Sequence, residues 1–132
     1  MRRLFANRKK IYDIKNIKNL QILEYLNQSS LKKIYEKAKI IVHPSLSEGM
    51  PNVLCEAMLH KCIPVGSNVN GIPLAIGDTG VVIMKGDVNM LVNGIKKALT
   101  MKTGDKARQR ILDNFNYERR EAEIVNIIQR LQ

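Results

Sequence analysis

The chain has 132 residues and a mass of 15.0 kDa, which favours one domain over two, and 45% of its side chains are apolar. A chain of this size with so few glycines and prolines forms a core without disulfides or metal, so collagen-like and generally disordered classes are excluded. The formal charge of +10 is regional: residues 1–39 hold 11 basic and 3 acidic side chains, residues 40–132 hold 11 and 9. Basic regions attract phosphates of nucleotides, nucleic acids or anionic lipids. Aromatic residues are only 5% and tryptophan is absent, which disfavours a nucleic-acid stacking surface.

Met1 to Lys10 is basic but lacks the apolar stretch of a signal peptide, and no 18-residue apolar run is present. The first 17 residues carry a weak period from Leu4, Phe5, Ile11, Tyr12 and Ile14, so residues 1–18 read as a basic arm or poor helix. Leu20 to Leu23 is a short apolar run that predicts a strand. Gln28-Ser29-Ser30 then offers hydroxyl caps to a helix carrying Leu31, Ile34, Tyr35 and Ala38 on one face. Ile40 to His43 is β-branched, ends at Pro44 and reads as a strand buried on both faces.

A polar turn from Ser45 to Gly49 leads into a helix from Pro51 to His60, with Val53/Ala57 and Leu54/Met58 forming an apolar stripe. Cys62 to Val65 predicts a further strand. A glycine-rich connection through Gly71, Gly77 and Gly80 precedes another at Val81 to Met84. Asp78 within it reads as a turn residue. Gly86-Asp87 caps a helix through Leu99, whose Val88, Leu91, Val92 and Ile95 recur at helical spacing. Helices near Asp105 to Asn114 and Tyr117 to Leu131 close the chain. The alternation predicts an α/β fold, a Rossmann-like parallel sheet flanked by helices, with ligands outside the carboxyl ends of the strands.

The turn after Ile40 to His43 is therefore where chemistry is sought. Free backbone N–H groups and the positive end of a helix dipole converge there, and Gly49 removes a side chain that would hold a ligand away. Such an end holds a diphosphate without a lysine. Glu48 in the turn and Glu56 in the helix can accept hydrogen bonds from sugar hydroxyls on either side of the phosphate position. Taken singly, these glutamates are ordinary helix-flanking residues; their surroundings give them meaning. His43 beside Pro44 reads as packed or hydrogen-bonded structure rather than a catalytic group. Lys32, Lys33, Lys37 and Lys39 read as a solvated helix face. Cys55 and Cys62 have neither CxxC nor zinc spacing and read as reduced thiols in apolar surroundings, in keeping with a reducing cytoplasmic compartment.

Pro44-Ser45, Glu48-Gly49, Glu56-Ala57-Met58, Pro64-Val65 and Asn70-Gly71-Ile72-Pro73 followed by Gly80 together resemble the C-terminal donor-binding domain of GT-B fold retaining glycosyltransferases, family 4 (glycosyl transferases group 1). The likeness covers about residues 19–132, the segment it makes a nucleotide-sugar donor-binding domain. It implies that Glu48 is the catalytic carboxylate that binds donor-sugar hydroxyls. It likewise implies that Ser45, Gly49, Met50, Pro51, Asn52 and Val53 line the sugar and diphosphate, and that Glu56 binds the nucleotide ribose. The implied reaction transfers a sugar to a glycan or lipid-linked acceptor with retention, without metal or cofactor. The first two, central strands of the family domain, a diphosphate-clamping Arg and Lys and the acceptor-binding domain are not recognisable. This implies an incomplete GT-B C-terminal domain that needs an acceptor-binding subunit or a second copy, at the cytoplasmic membrane face with peripheral association. Two alternatives stand beside it: a non-catalytic remnant serving as a binding or assembly module, and, with less support, a basic nucleic-acid-binding protein.

Overall fold

The computed structural model describes residues 17–131. The predicted N-terminal arm therefore lies outside the described residues apart from Ile17 and Lys18. Nine elements follow in order: α1 (Gln28–Lys37), β1 (Ile40–His43), α2 (Asn52–Leu59), β2 (Ile63–Ser67), α3 (Gly71–Ile76), β3 (Val81–Ile83), α4 (Val88–Thr100), α5 (Gly104–Asn114) and α6 (Tyr117–Arg130).

The three strands form one parallel sheet in the order β1-β2-β3, with Ile40 opposite Ile63 and Val65 opposite Val81. Alternation along β2 assigns its two faces. Ile63 and Val65 pack with Ile83 and with Ala98 of α4, and Gly94 of α4 lies so close that a Cβ there would stand 3.1–3.4 Å from Ile83, Val81 and Val65. On the opposite face a Cβ at Gly66 would run into Ile72 and Ile76 of α3. That face carries the larger core, in which Leu54 and Met58 of α2, Ile72 and Ile76 of α3, and Ala107 and Ile111 of α5 are buried together. The sheet is thus covered by helices on both sides, as the α/β Rossmann-like reading requires.

Several local expectations change. Leu20 to Leu23 is irregular and exposed, with neighbouring Tyr25 96% exposed. An apolar run becomes a strand only where a sheet edge offers ladder partners, and none pairs with it among the described residues. For the same reason β1 is half-buried rather than buried on both faces: it is an edge strand of the described sheet, paired to β2 alone. The α1 cap is Asn27, not the serines or Gln28, because its Oδ1 accepts from the Ser30 N–H at 2.9 Å. The second strand starts at Ile63 and runs on to Ser67, leaving Cys62 in the turn.

The glycine-rich connection contains a short helix, α3, in which Ile72, Ala75 and Ile76 are buried at helical spacing. Its flanking glycines mask that stripe in the sequence. The Asp87 cap of α4 is formed as predicted, with Oδ1 2.8 Å from the Met90 N–H. Met84 is exposed beyond β3, and α5 begins at Gly104. Val53 is 45% exposed, so the buried stripe of α2 runs through Leu54, Ala57 and Met58.

Candidate functional site

The turn between β1 and α2 stands at the carboxyl end of the sheet. Three interactions define it. The Gly49 carbonyl accepts from the Gly71 N–H at 3.0 Å, the Glu48 carbonyl accepts from Asn70 Nδ2 at 2.6 Å, and Glu48 Oε1 stands 3.4 Å from His43 Nε2. Asn70 adopts φ +43° with ψ −117°, a conformation that L residues rarely take. Backbone strain of this kind costs about 1–3 kcal/mol and persists only where the surroundings over-determine it. Here it carries the Asn70 amide onto the turn.

The amino end of α2 is open. Pro51, buried at the N-cap, makes no side-chain cap hydrogen bond, and no acidic residue occupies the first turn. Leu54 and Cys55 both donate to the Pro51 carbonyl, at 3.1 and 3.3 Å, whereas the N–H groups of Gly49, Met50, Asn52 and Val53 donate to no backbone carbonyl among the described residues. Four amides near an uncapped helix start form an electropositive end that suits an anion.

Glu56, one turn into α2, stands in the walls of two clefts that flank this helix. A cleft of about 780 Å³ runs between α2 and the α5–α6 side, walled by Met50, Asn52, Glu56, Arg110 and Arg119. A second, of about 310 Å³, lies between α1 and α2 against Gln28, Lys32, Tyr35, Glu56 and His60. The Tyr35 ring stacks on His60 with centroids 6.0 Å apart, and its hydroxyl is buried without a hydrogen-bond partner. Burial, then the Glu56 charge and then Cys62, push the Tyr35 phenol above its ordinary pKa. Burial, with Glu56 second, likewise raises the Cys55 thiol.

The sequence-predicted residues are therefore partly assembled. Met50, Asn52 and Glu56 share the larger cleft; Ser45, Glu48, Gly49, Pro51 and Val53 line neither cleft, and of these Glu48 to Val53 lie in the turn and first residues of α2. Asn70 and Gly71 belong to the motif that carries the family resemblance, but their hold on the turn acts across 22 residues and is not legible in it; Arg110 and Arg119, which wall the cleft, carry no sequence signal at all. No helix among the described residues is long and apolar enough to cross a membrane.

The family model described as glycosyl transferases group 1 matches residues 5–116. The O-antigen chain mannosyltransferase B of Escherichia coli is 32% identical over 80 residues, which are 61% of this chain and 21% of that protein. The solved structure of sucrose-phosphate synthase from Thermosynechococcus elongatus is similar in fold, with a TM-score of 0.76 at 24% identity over 92% of this chain and 32% of that one. This chain thus corresponds to a third or less of the length of these relatives. With the α/β sheet and the turn that ends β1, these matches mean that the chain belongs to the glycosyl transferases group 1 family and has the Rossmann-like fold of a GT-B domain.

Proposed function

We propose that this chain is the donor-binding domain of a retaining, nucleotide-sugar-dependent glycosyltransferase. The observation that carries the reading is the uncapped start of α2 directly after Glu48-Gly49, with Glu56 one turn further on. Open amides suit the diphosphate. Glu48 and Glu56 supply acceptors for hydroxyls of the sugar and the ribose. The donor is held by these groups without a metal or further cofactor.

In the proposed reaction the acceptor hydroxyl attacks the anomeric carbon on the face from which the diphosphate departs. The new C–O bond forms as the old one breaks, and the hydroxyl proton passes to the leaving diphosphate oxygen. The amides around Gly49 to Val53 stabilise the charge that develops there, commonly the largest catalytic term. The mannosyltransferase relative makes a mannosyl donor and a polysaccharide acceptor the first pair to try. Acceptor contacts come from an acceptor-binding half, either another part of the same protein or a separate subunit; the position of β1 at the edge of the described sheet and the exposed Leu20 to Leu23 segment support such a neighbour. The exposed lysines of α1, Lys32, Lys33 and Lys37, with Lys39, suit peripheral contact with the anionic inner face of the cytoplasmic membrane.

Calorimetric titration with GDP-mannose, UDP-glucose, GDP and UDP tests this reading. Saturable binding of at least one nucleotide sugar, weakened about tenfold or more by Glu56→Ala, is the expected result. A folded chain that binds none of them would sink the donor-site reading and favour the alternative of a non-catalytic assembly module.

A further inference from the structure

His43 ends β1 with its side chain only 19% exposed, and its Nε2 is buried without a hydrogen bond. A buried N–H that lacks an acceptor is costly, so such groups nearly always find one. Glu48 Oε1 lies 3.4 Å away, about half an ångström beyond a good N–H···O distance. Hydrogen bonds hold the backbone of Glu48 and its neighbour, from Asn70 Nδ2 to the Glu48 carbonyl and from the Gly71 N–H to the Gly49 carbonyl. The Glu48 backbone is thereby fastened, and its carboxylate stands within turning distance of the His43 ring.

We propose that His43 is a positioning residue: its Nε2–H donates to Glu48 Oε1 and leaves Oε2 directed at the donor. This rests on the reading of Glu48 as a ligand of the donor sugar. A carboxylate accepts several hydrogen bonds, so occupying Oε1 does not consume the group. It removes rotamer freedom that a half-exposed glutamate would otherwise lose on binding. His43 then acts on recognition of the sugar and not on the diphosphate, which the α2 amides hold. The same histidine keeps its buried nitrogen satisfied in the free protein.

The chain contains only two histidines, His43 and His60, so long-range proton–nitrogen spectra of the ligand-free chain labelled on histidine resolve both rings. The expected result is a predominantly Nε2-protonated His43 whose tautomer ratio changes in Glu48→Ala while His60 stays as it was. An unchanged His43 tautomer in that variant overturns the pairing, whether or not any donor binds. The second arm titrates His43→Phe and His43→Gln with GDP-mannose, UDP-glucose, GDP and UDP. His43→Phe should weaken the bound nucleotide sugar about tenfold, the scale of a hydrogen bond to a charged group, with the parent diphosphate within about twofold. His43→Gln, which keeps a donor at a similar position, should restore affinity to within about threefold. Equal loss for sugar and diphosphate, or none in His43→Phe, refutes the positioning role. If the unaltered chain binds no nucleotide sugar, the donor reading fails and the proposed role with it, while the tautomer result still decides the pairing.

Discussion

The N–H of Gly71 meets the carbonyl of Gly49 at 3.0 Å, and a Cβ at Gly71 would lie 2.7 Å from that oxygen and 3.2 Å from the Met50 Cα. A glycine of the β1–α2 turn and the glycine that opens α3 are thus in backbone contact at the carboxyl end of the sheet. The atoms that a side chain would strike are backbone, which cannot rotate away. Gly71→Ala should therefore push α3 off the turn and lower stability by about 1–3 kcal/mol, the usual range for overpacking. Urea denaturation measures this; an unchanged midpoint would mean that the turn and the start of α3 separate freely.

Arg110 ties α5 to α3. Its Nε donates to the Ala75 carbonyl at 2.9 Å and its terminal nitrogen to the Leu74 carbonyl at 2.8 Å, near the end of α3 where carbonyls lack helical partners. Removing a charged donor from two such acceptors costs about 1.5–3 kcal/mol. Arg110→Ala should show that loss in thermal unfolding, and Arg110→Lys should recover only part of it because an ammonium does not reproduce the planar fork.

The two faces of α2 should respond differently to truncation. Met58 is fully buried among the residues of the larger core, so Met58→Ala should cost about 2–5 kcal/mol. Val53→Ala, at an exposed position one residue from the buried stripe, should stay within about 0.5 kcal/mol. Chemical denaturation of both variants decides which residues of the helix face the core.

The cysteines should be slow to react in the native protein. Burial raises the Cys62 thiol, whose Sγ also donates to the Tyr35 and Ala38 carbonyls at 3.3 and 3.4 Å; burial and Glu56 raise Cys55. Thiolate is the reactive form, so a disulfide reagent at pH 8 should modify Cys55 slowly and Cys62 only after denaturant is added. Glu56→Gln should accelerate Cys55 alone. The sign for stability follows: a thiol held protonated by the fold contributes fully below its unfolded pKa, and that contribution is lost as pH rises through the higher folded value.

Local pattern was enough to read much of this molecule. The β-branched run at Ile40 to His43, the Pro51 helix start, the Asp87 cap and the period of α4 are short-range signals, each produced by steric or hydrogen-bonding preferences within one or two turns of chain. The motifs from Pro44-Ser45 to Gly80 likewise carried the resemblance to the family. The tertiary structure decided what depends on neighbours. Leu20 to Leu23 has the composition of a strand and no ladder partner among the described residues. β1 is an edge strand of the described sheet, and α3 forms inside a glycine-rich stretch because the face of β2 at Gly66 receives Ile72 and Ile76. Asn70 reaches Glu48, and Glu56 walls two clefts at once. These relationships arise from the parallel crossovers, which bring loops 20 or more residues apart to one end of the sheet. Residue type and local spacing do not encode that distance; strand register and packing do.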